Sequence, residues 1–197
     1  RRDLAAACIA IDDQRDELLR ALRLVEPQQR LVFRQQVKAE LEAQLKAVPD
    51  ELGVILSSEH FHLSLQRPEE IETLKQLLLE LGLEVQQVVI YLREPLALIE
   101  SLFSTMVRSG DQRPLPADPA DPFVALICDH GASLQRWRAV FGEAVVVPRA
   151  FPPQAGGSLS ADFLQLLSSA PAAGWPPEPR RQRNRGLNPS ALNLLAW

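Results

Sequence analysis

Lysine, histidine and the common nucleophile motifs are scarce in this 197-residue sequence. Lysine occurs only at Lys38, Lys46 and Lys75, each in a stretch with a helical pattern and none in a glycine-rich loop. The three histidines do not have the spacing of metal ligands, so the sequence predicts no zinc site. G-x-S-x-G and the cysteine–histidine signatures are absent, which leaves no recognisable serine or cysteine nucleophile.

Long apolar runs are missing as well. No run approaches the roughly 18 residues of a membrane helix, and the chain opens with no signal-peptide pattern, so we expect no membrane span. The two cysteines, Cys8 and Cys128, lie far apart in helical patterns, which favours free, half-buried thiols in a reducing compartment and predicts a cytoplasmic protein. The formal net charge of −4 argues against a general nucleic-acid binder.

The composition is sufficient for one well-packed domain over residues 1–197, since 46 % of the residues are hydrophobic. The central unit of this domain is predicted over residues 53–110. An apolar run at 53–56 predicts a strand, and a helical pattern over 71–81 follows, which Gly82 is expected to end. The β-branched run 85–92 predicts a second strand. A further helix begins at Pro95, so the stretch predicts a parallel βαβ unit with a following helix.

The remaining segments flank this unit. The pattern predicts a helical hairpin over 1–50, a proline-rich loop over 111–122, and a helical and strand-containing part over 123–197. Within that last part we predict a helix at 123–141 that ends at Gly142, a strand at 144–147, a helix at 159–167 and a short helix at 189–197. The fold class is therefore α/β, with three layers, a short and mainly parallel sheet, and helices on both faces.

Arg93 and Ser101 are the first candidate site residues. Arg93 ends the second predicted strand, and Ser101 lies about two turns into the next helix. Ser101 shares a stripe of that helix with Ala97, Ser104 and Arg108. A guanidinium and hydroxyls arranged in this way can hold a phosphate by charge-assisted hydrogen bonds. The alternative is a solvated helix face with an arginine bound to a nearby carboxylate.

Glu59 and His60 follow the first predicted strand. Ligands of open α/β sheets bind beyond the carboxyl ends of parallel strands, so we expect Glu59 to be solvent-accessible and to lie within reach of the Arg93 site. A carboxylate or an imidazole at such a point can act as a general base toward a substrate hydroxyl. The alternatives are an N-cap or ion-pair role for Glu59 and an ordinary loop position for His60.

Two segments resemble the sulfotransferase family. The first leads from the predicted strand to Glu59, and the second ends a strand at Arg93 and has Ser101 eight residues later. The similarity is to bacterial sulfotransferase-like proteins of the P-loop type, in which one strand ends at the catalytic base and another ends in such an arginine–serine pair. Further similar segments are residues 137–142, 145–151, 162–164 and 184–187. The resemblance covers about residues 53–195.

The resemblance implies a cofactor and roles for individual residues. Arg93 and Ser101 would bind the 3′-phosphate of 3′-phosphoadenosine-5′-phosphosulfate, and Glu59, or else His60, would take the proton of the acceptor. Asn184 and Arg185 would lie on the cofactor side. For the arginine-rich segment 180–185 that contains them, the alternatives are a solvated charge run and contacts to a sulfated acceptor or RNA.

The family's glycine-rich, lysine-bearing loop, which cradles the 5′-phosphosulfate, has no counterpart before Gly53. The resemblance therefore implies either that residues upstream of Arg1 supply a strand and this loop, or that this member has lost the activity. We expect the native chain to be longer.

The leading hypothesis is sulfuryl transfer from the phosphosulfate donor to a hydroxyl group of a glycan or a similar small acceptor. The first alternative is a non-catalytic relative that binds a nucleotide or a partner in polysaccharide biosynthesis. The second is a glycan-assembly protein whose nucleotide-sugar chemistry uses a similar sheet. Fold analogy does not choose among the three.

Overall fold

A computed structural model describes residues 2–13, 17–49, 52–108, 110, 121–153 and 158–167. The described elements, in chain order, are α1 Arg2–Cys8, α2 Glu17–Ala21, α3 Pro27–Leu45, α4 His60–Ser64, α5 Pro68–Glu80, β1 Val88–Arg93, α6 Pro95–Arg108, α7 Pro122–Cys128, α8 His130–Phe141, β2 Val146–Phe151 and α9 Leu159–Leu166. The protein is thus mixed α/β, and β1 and β2 form a short parallel two-stranded sheet.

The chain divides into two compact units. Unit 1 comprises residues 1–88 and 131–147, and unit 2 comprises residues 89–130 and 148–197. In unit 1, α1 packs against α3, α4 and α5, and its residues from Leu4 to Cys8 are all buried. In unit 2, α6 packs against α7, and the buried apolar side chains include Phe103, Val124 and Ile127.

The first predicted strand, at 53–56, is wrong. Residues 53–58 lie in no helix or strand, and the backbone of 53–57 makes no backbone hydrogen bond to the part of the chain that the structure describes. Val54 and Ile55 are also largely exposed. An apolar run becomes a strand only where a neighbouring strand supplies the ladder of hydrogen bonds, and no described segment does so here. The predicted βαβ unit over 53–92 is therefore wrong as well.

The parallel pair that does form lies later in the chain. β1 begins and ends a little after the predicted strand 85–92. β2 begins two residues later than the predicted strand 144–147 and continues to Phe151. Their connection contains α6, α7 and α8. The predicted helix 123–141 is two helices, since α7 ends at Cys128 and α8 begins at His130.

The predicted hairpin over 1–50 is also wrong in detail, because the described part contains three helices. α1 ends at Cys8, although the apolar spacing continues to Val25. Side chains from other helices form hydrogen bonds with the backbone just after Cys8. The Glu70 carboxylate accepts a hydrogen bond from Ala10 N (2.9 Å), while the Arg30 guanidinium donates to the carbonyl oxygens of Ala10 (3.1 Å) and Ile11 (2.8 Å). The backbone of Ala10 is thus clamped on both sides.

Several local predictions are confirmed. Pro95 begins α6, and Gly82 and Gly142 follow the C-terminal ends of α5 and α8 with φ of 76° and 88°, a conformation that costs glycine little. α9 occupies the predicted helix 159–167 almost completely.

Other predictions fall outside the described residues. These are residues 111–120 of the predicted loop, the arginine-rich segment with Asn184 and Arg185, and the helix at 189–197. Among the helices that are described, none combines the length and the apolar character needed to cross a membrane.

Candidate functional site

Arg93 lies at the carboxyl end of β1, and its guanidinium lies over the ring of Phe151, 5.5 Å from the ring centroid. Phe151 is itself the last residue of β2, so the two parallel strands end in an arginine stacked on an aromatic ring. The Arg93 side chain is half-buried and makes no hydrogen bond or ion pair with the residues that the structure describes. Within the described part of the chain, the side-chain N–H donors of Arg93 thus have no acceptor.

His130 supports the main chain at the same point. Its Nε2 lies 2.7 Å from the carbonyl oxygen of Arg93 and donates to it, which leaves Nδ1 as an acceptor in the neutral ring. Nδ1 is buried and has no hydrogen-bond partner among the described residues. The contact fixes the peptide that carries the arginine.

The side chain of Glu94 caps the N-terminus of α6. Its carboxylate accepts hydrogen bonds from Leu96 N (3.0 Å) and Ala97 N (2.8 Å). The backbone N–H groups of Ala97 and Leu96, with a smaller contribution from the charge of Arg93, hold the pKa of Glu94 below its usual value. The free N–H groups at a helix N-terminus form a common anion site, and here a carboxylate of the chain already uses two of them. An anion bound at Arg93 therefore depends mainly on side-chain donors.

Ser101 lies on α6, half-buried, and its hydroxyl has no hydrogen-bond partner in the described part of the chain. The predicted polar stripe of this helix is wrong at Ser104, which is 3 % exposed. Helix periodicity brings Ser101 and Ser104 to one side of α6, but only Ser101 keeps part of its surface exposed. That Arg93 and Ser101 hold one anion together stays a prediction.

Glu59 and His60 belong to unit 1, whereas Arg93 and Ser101 belong to unit 2. The Glu59 side chain is 76 % exposed, and its carboxylate lies 3.9 Å from His60 Nε2. His60 begins α4 instead of lying in a loop, and its backbone N–H donates to Ser58 Oγ (3.2 Å). The expected proximity of Glu59 to Arg93 and the role of Glu59 as a base stay predictions.

A half-buried carboxylate network in unit 2 was missed by the sequence analysis. Asp162 of α9 accepts a hydrogen bond from Tyr91 Oη (2.7 Å) and two from the Arg149 guanidinium, one of them at 3.1 Å from Nε. The hydrogen bonds from Arg149, followed by the one from Tyr91, lower the pKa of Asp162. The network ties α9 to β1 and β2. Arg149 lies two residues before the end of β2, and no local pattern in the sequence identifies Asp162, 13 residues later, as its acidic partner.

Tyr91 provides a pH-dependent prediction. Burial, followed by the hydrogen bond to Asp162, raises the pKa of Tyr91 to about 12. A phenol with a raised pKa contributes stability that is complete below the unfolded value of about 10 and is lost as the pH rises toward the folded value. We therefore expect the folded protein to lose stability between about pH 10 and pH 12.

Tyr91 is the only tyrosine of the chain, so the absorbance of tyrosinate reports this residue alone. The expected titration midpoint is about 12 for the folded protein and near 10 in urea. Asp162→Asn should shift the folded midpoint downward, because it removes a neighbouring negative charge. A folded midpoint equal to that in urea contradicts the burial of the phenol.

The three lysines are all engaged within unit 1. The partners are Glu80 for Lys38 (2.6 Å), Glu42 for Lys46 (3.2 Å), and the carbonyl oxygen of Val140 for Lys75 (2.8 Å). Another polar pair in this unit, Ser133 Oγ and His62 Nδ1 at 3.2 Å, involves a serine that is 1 % exposed. That serine cannot reach a substrate, so this contact is structural.

The Arg93 guanidinium, which has no hydrogen-bond or ion-pair partner among the described residues, makes the carboxyl end of β1 a candidate anion site. Arg93 is the candidate anchor, Phe151 and His130 contact it, and Glu94 closes the adjacent helix N-terminus. Comparison with protein-family models, with curated proteins and with solved structures finds no match for this chain.

Proposed function

We propose that this protein binds a phosphate group of a nucleotide at Arg93. The observation that carries the proposal is a half-buried arginine at the carboxyl end of a parallel strand whose N–H donors have no acceptor among the described residues. Ligands of α/β folds commonly bind at this edge, and a planar guanidinium matches two phosphate oxygens at once. By resemblance to the sulfotransferases, the nucleotide is an adenosine 3′-phosphate, with Ser101 as the second ligand of its 3′-phosphate.

Binding is better supported than transfer. A sulfuryl donor needs backbone N–H groups and a cation at its bridging and terminal oxygens. Each lysine of this chain already has a partner within unit 1, and Glu94 caps the helix that follows β1. The proposed function is therefore that of a nucleotide-binding module related to the P-loop sulfotransferases.

Calorimetry with adenosine 3′,5′-bisphosphate tests the binding site. Arg93→Ala should weaken the affinity by about ten- to a hundredfold, because a charge-assisted guanidinium–phosphate contact contributes about 1.5–3 kcal/mol. Arg138→Ala is the matched control, since it removes one guanidinium from unit 1 and should leave the affinity unchanged. Equal affinities of the wild type and Arg93→Ala would refute the proposal.

Sulfuryl transfer is a second candidate function, and the exposure of Glu59 favours it. An exposed carboxylate beside an imidazole can accept the proton of an acceptor hydroxyl while the sulfuryl group passes from the phosphosulfate to that oxygen. The products are a sulfated glycan and adenosine 3′,5′-bisphosphate. Release of the bisphosphate from the phosphosulfate donor should then require both an oligosaccharide acceptor and Glu59. Release at the wild-type rate in Glu59→Gln would exclude Glu59 as the base.

A further inference from the structure

Phe151 is the aromatic side chain that contacts the proposed anion anchor. The guanidinium of Arg93 lies 5.5 Å from the centroid of its ring, and both residues belong to unit 2. An arginine over an aromatic ring has one face covered, while its N–H bonds point outward in the plane of the group. A guanidinium held in this way presents two parallel donors to a ligand.

Glu94 is the main competitor for the Arg93 side chain. It is the next residue in the chain, and the charge of Arg93 contributes to the lowered pKa of its carboxyl. A flexible arginine at a strand end would otherwise turn toward this carboxylate and satisfy its donors within the protein. The structure contains no such ion pair among the described residues, and the stacking contact with Phe151 is present instead.

We propose that Phe151 is a positioning residue of the anion site. The ring holds the Arg93 guanidinium away from Glu94 and in a fixed plane, so that two N–H groups bind two oxygens of one terminal phosphate. This inference rests on the proposed function, because it requires an anion at Arg93. It assigns to the site a bidentate recognition of phosphate monoesters, for which a point charge at the same position is a poor substitute.

Binding of adenosine 3′,5′-bisphosphate to Phe151 variants tests this role. Phe151→Leu should weaken the affinity by about three- to thirtyfold, the effect of losing a cation–π contact. Phe151→Tyr keeps a ring and should bind like the wild type. Arg93→Lys keeps the charge but not the fork of donors, and it should bind much more weakly than Phe151→Tyr.

A double-mutant cycle separates positioning from a general effect on the fold. If Phe151 acts through the guanidinium, Phe151→Leu should weaken binding in the wild type but have no further effect in Arg93→Ala. Phe151→Met offers a second unstacked side chain, should the leucine variant fail to fold. Thermal unfolding of each variant shows whether the affinity changes without a change in stability.

The outcomes distinguish this inference from the proposed function. Wild-type affinity in Arg93→Ala removes the anion site and both proposals with it. Weak binding in Arg93→Ala combined with wild-type affinity in folded Phe151→Leu and Phe151→Met leaves the site and overturns the positioning role. Equal losses from Phe151→Leu with and without Arg93 overturn it as well.

Discussion

Replacing Glu70 with alanine is expected to lower the free energy of unfolding by about 3–5 kcal/mol. Glu70 is 1 % exposed, and its carboxylate accepts hydrogen bonds from Ala10 N (2.9 Å), Gln66 N (2.8 Å) and Arg67 N (3.0 Å). Alanine removes the acceptor of all three part-buried hydrogen bonds, and a hydrogen bond to a charged group contributes about 1.5–3 kcal/mol. Such a loss is a large fraction of the roughly 5–15 kcal/mol that stabilises a typical domain.

Glu70→Gln should lie between the wild type and the alanine variant. Its carbonyl oxygen can keep the two bonds to Gln66 N and Arg67 N, but its amide then turns a donor toward Ala10 N–H. Urea unfolding followed by far-ultraviolet circular dichroism measures the differences. The matched control is Glu72→Ala, an exposed glutamate of the same helix. A Glu70→Ala loss no larger than that of Glu72→Ala would contradict a structural role for the buried carboxylate.

Replacing Arg30 with methionine is expected to cost about 2–4 kcal/mol of stability. Arg30 is 7 % exposed, and it donates to four backbone carbonyl oxygens, those of Leu24, Val25, Ala10 and Ile11. Methionine fills a similar volume but satisfies none of these acceptors. Arg30→Lys should recover less than half of the lost stability, because a single ammonium group cannot bind all the carbonyl oxygens that surround the planar guanidinium.

The control for Arg30 is Gln35→Met, an exposed position of α3, whose stability should change little. Arg30 and Glu70 also share a target, since they bind the C=O and the N–H of Ala10. The two losses should therefore not add, because one substitution already frees the segment that the other one holds. Strictly additive losses would show that the two contacts with Ala10 are independent.

The elements that the sequence predicted correctly are those with local signals. Apolar periodicity located α5, α6 and α9, and Gly82 and Gly142 marked the ends of two helices through a backbone conformation that only glycine adopts easily. The β-branched run before Arg93 gave β1 to within three residues at its start. These signals act within about one helical turn of the chain, so they do not depend on the tertiary structure.

The strand at 53–56 and the helical hairpin over 1–50 were predicted wrongly for a common reason. Both patterns are apolar and suit their predicted elements. A strand, however, needs a neighbouring strand to hydrogen-bond with, and a helix ends where other groups form hydrogen bonds with its backbone N–H and C=O groups. Residues 53–57 have no such neighbour among the described residues, and Glu70 and Arg30 take the backbone of Ala10. Partners 20 and 60 residues away in sequence leave no local pattern.

For the candidate site, the sequence by itself determined that an arginine ends β1 and that a proline-started helix follows it. Only the tertiary structure decided that this arginine stacks on Phe151 while Arg149 is neutralised by Asp162. The reason is that the availability of a charge depends on what surrounds it. Arg93 ends β1 and Arg149 lies two residues before the end of β2, and the two look alike in sequence. In space, Asp162 binds Arg149, whereas no carboxylate among the described residues forms an ion pair with Arg93.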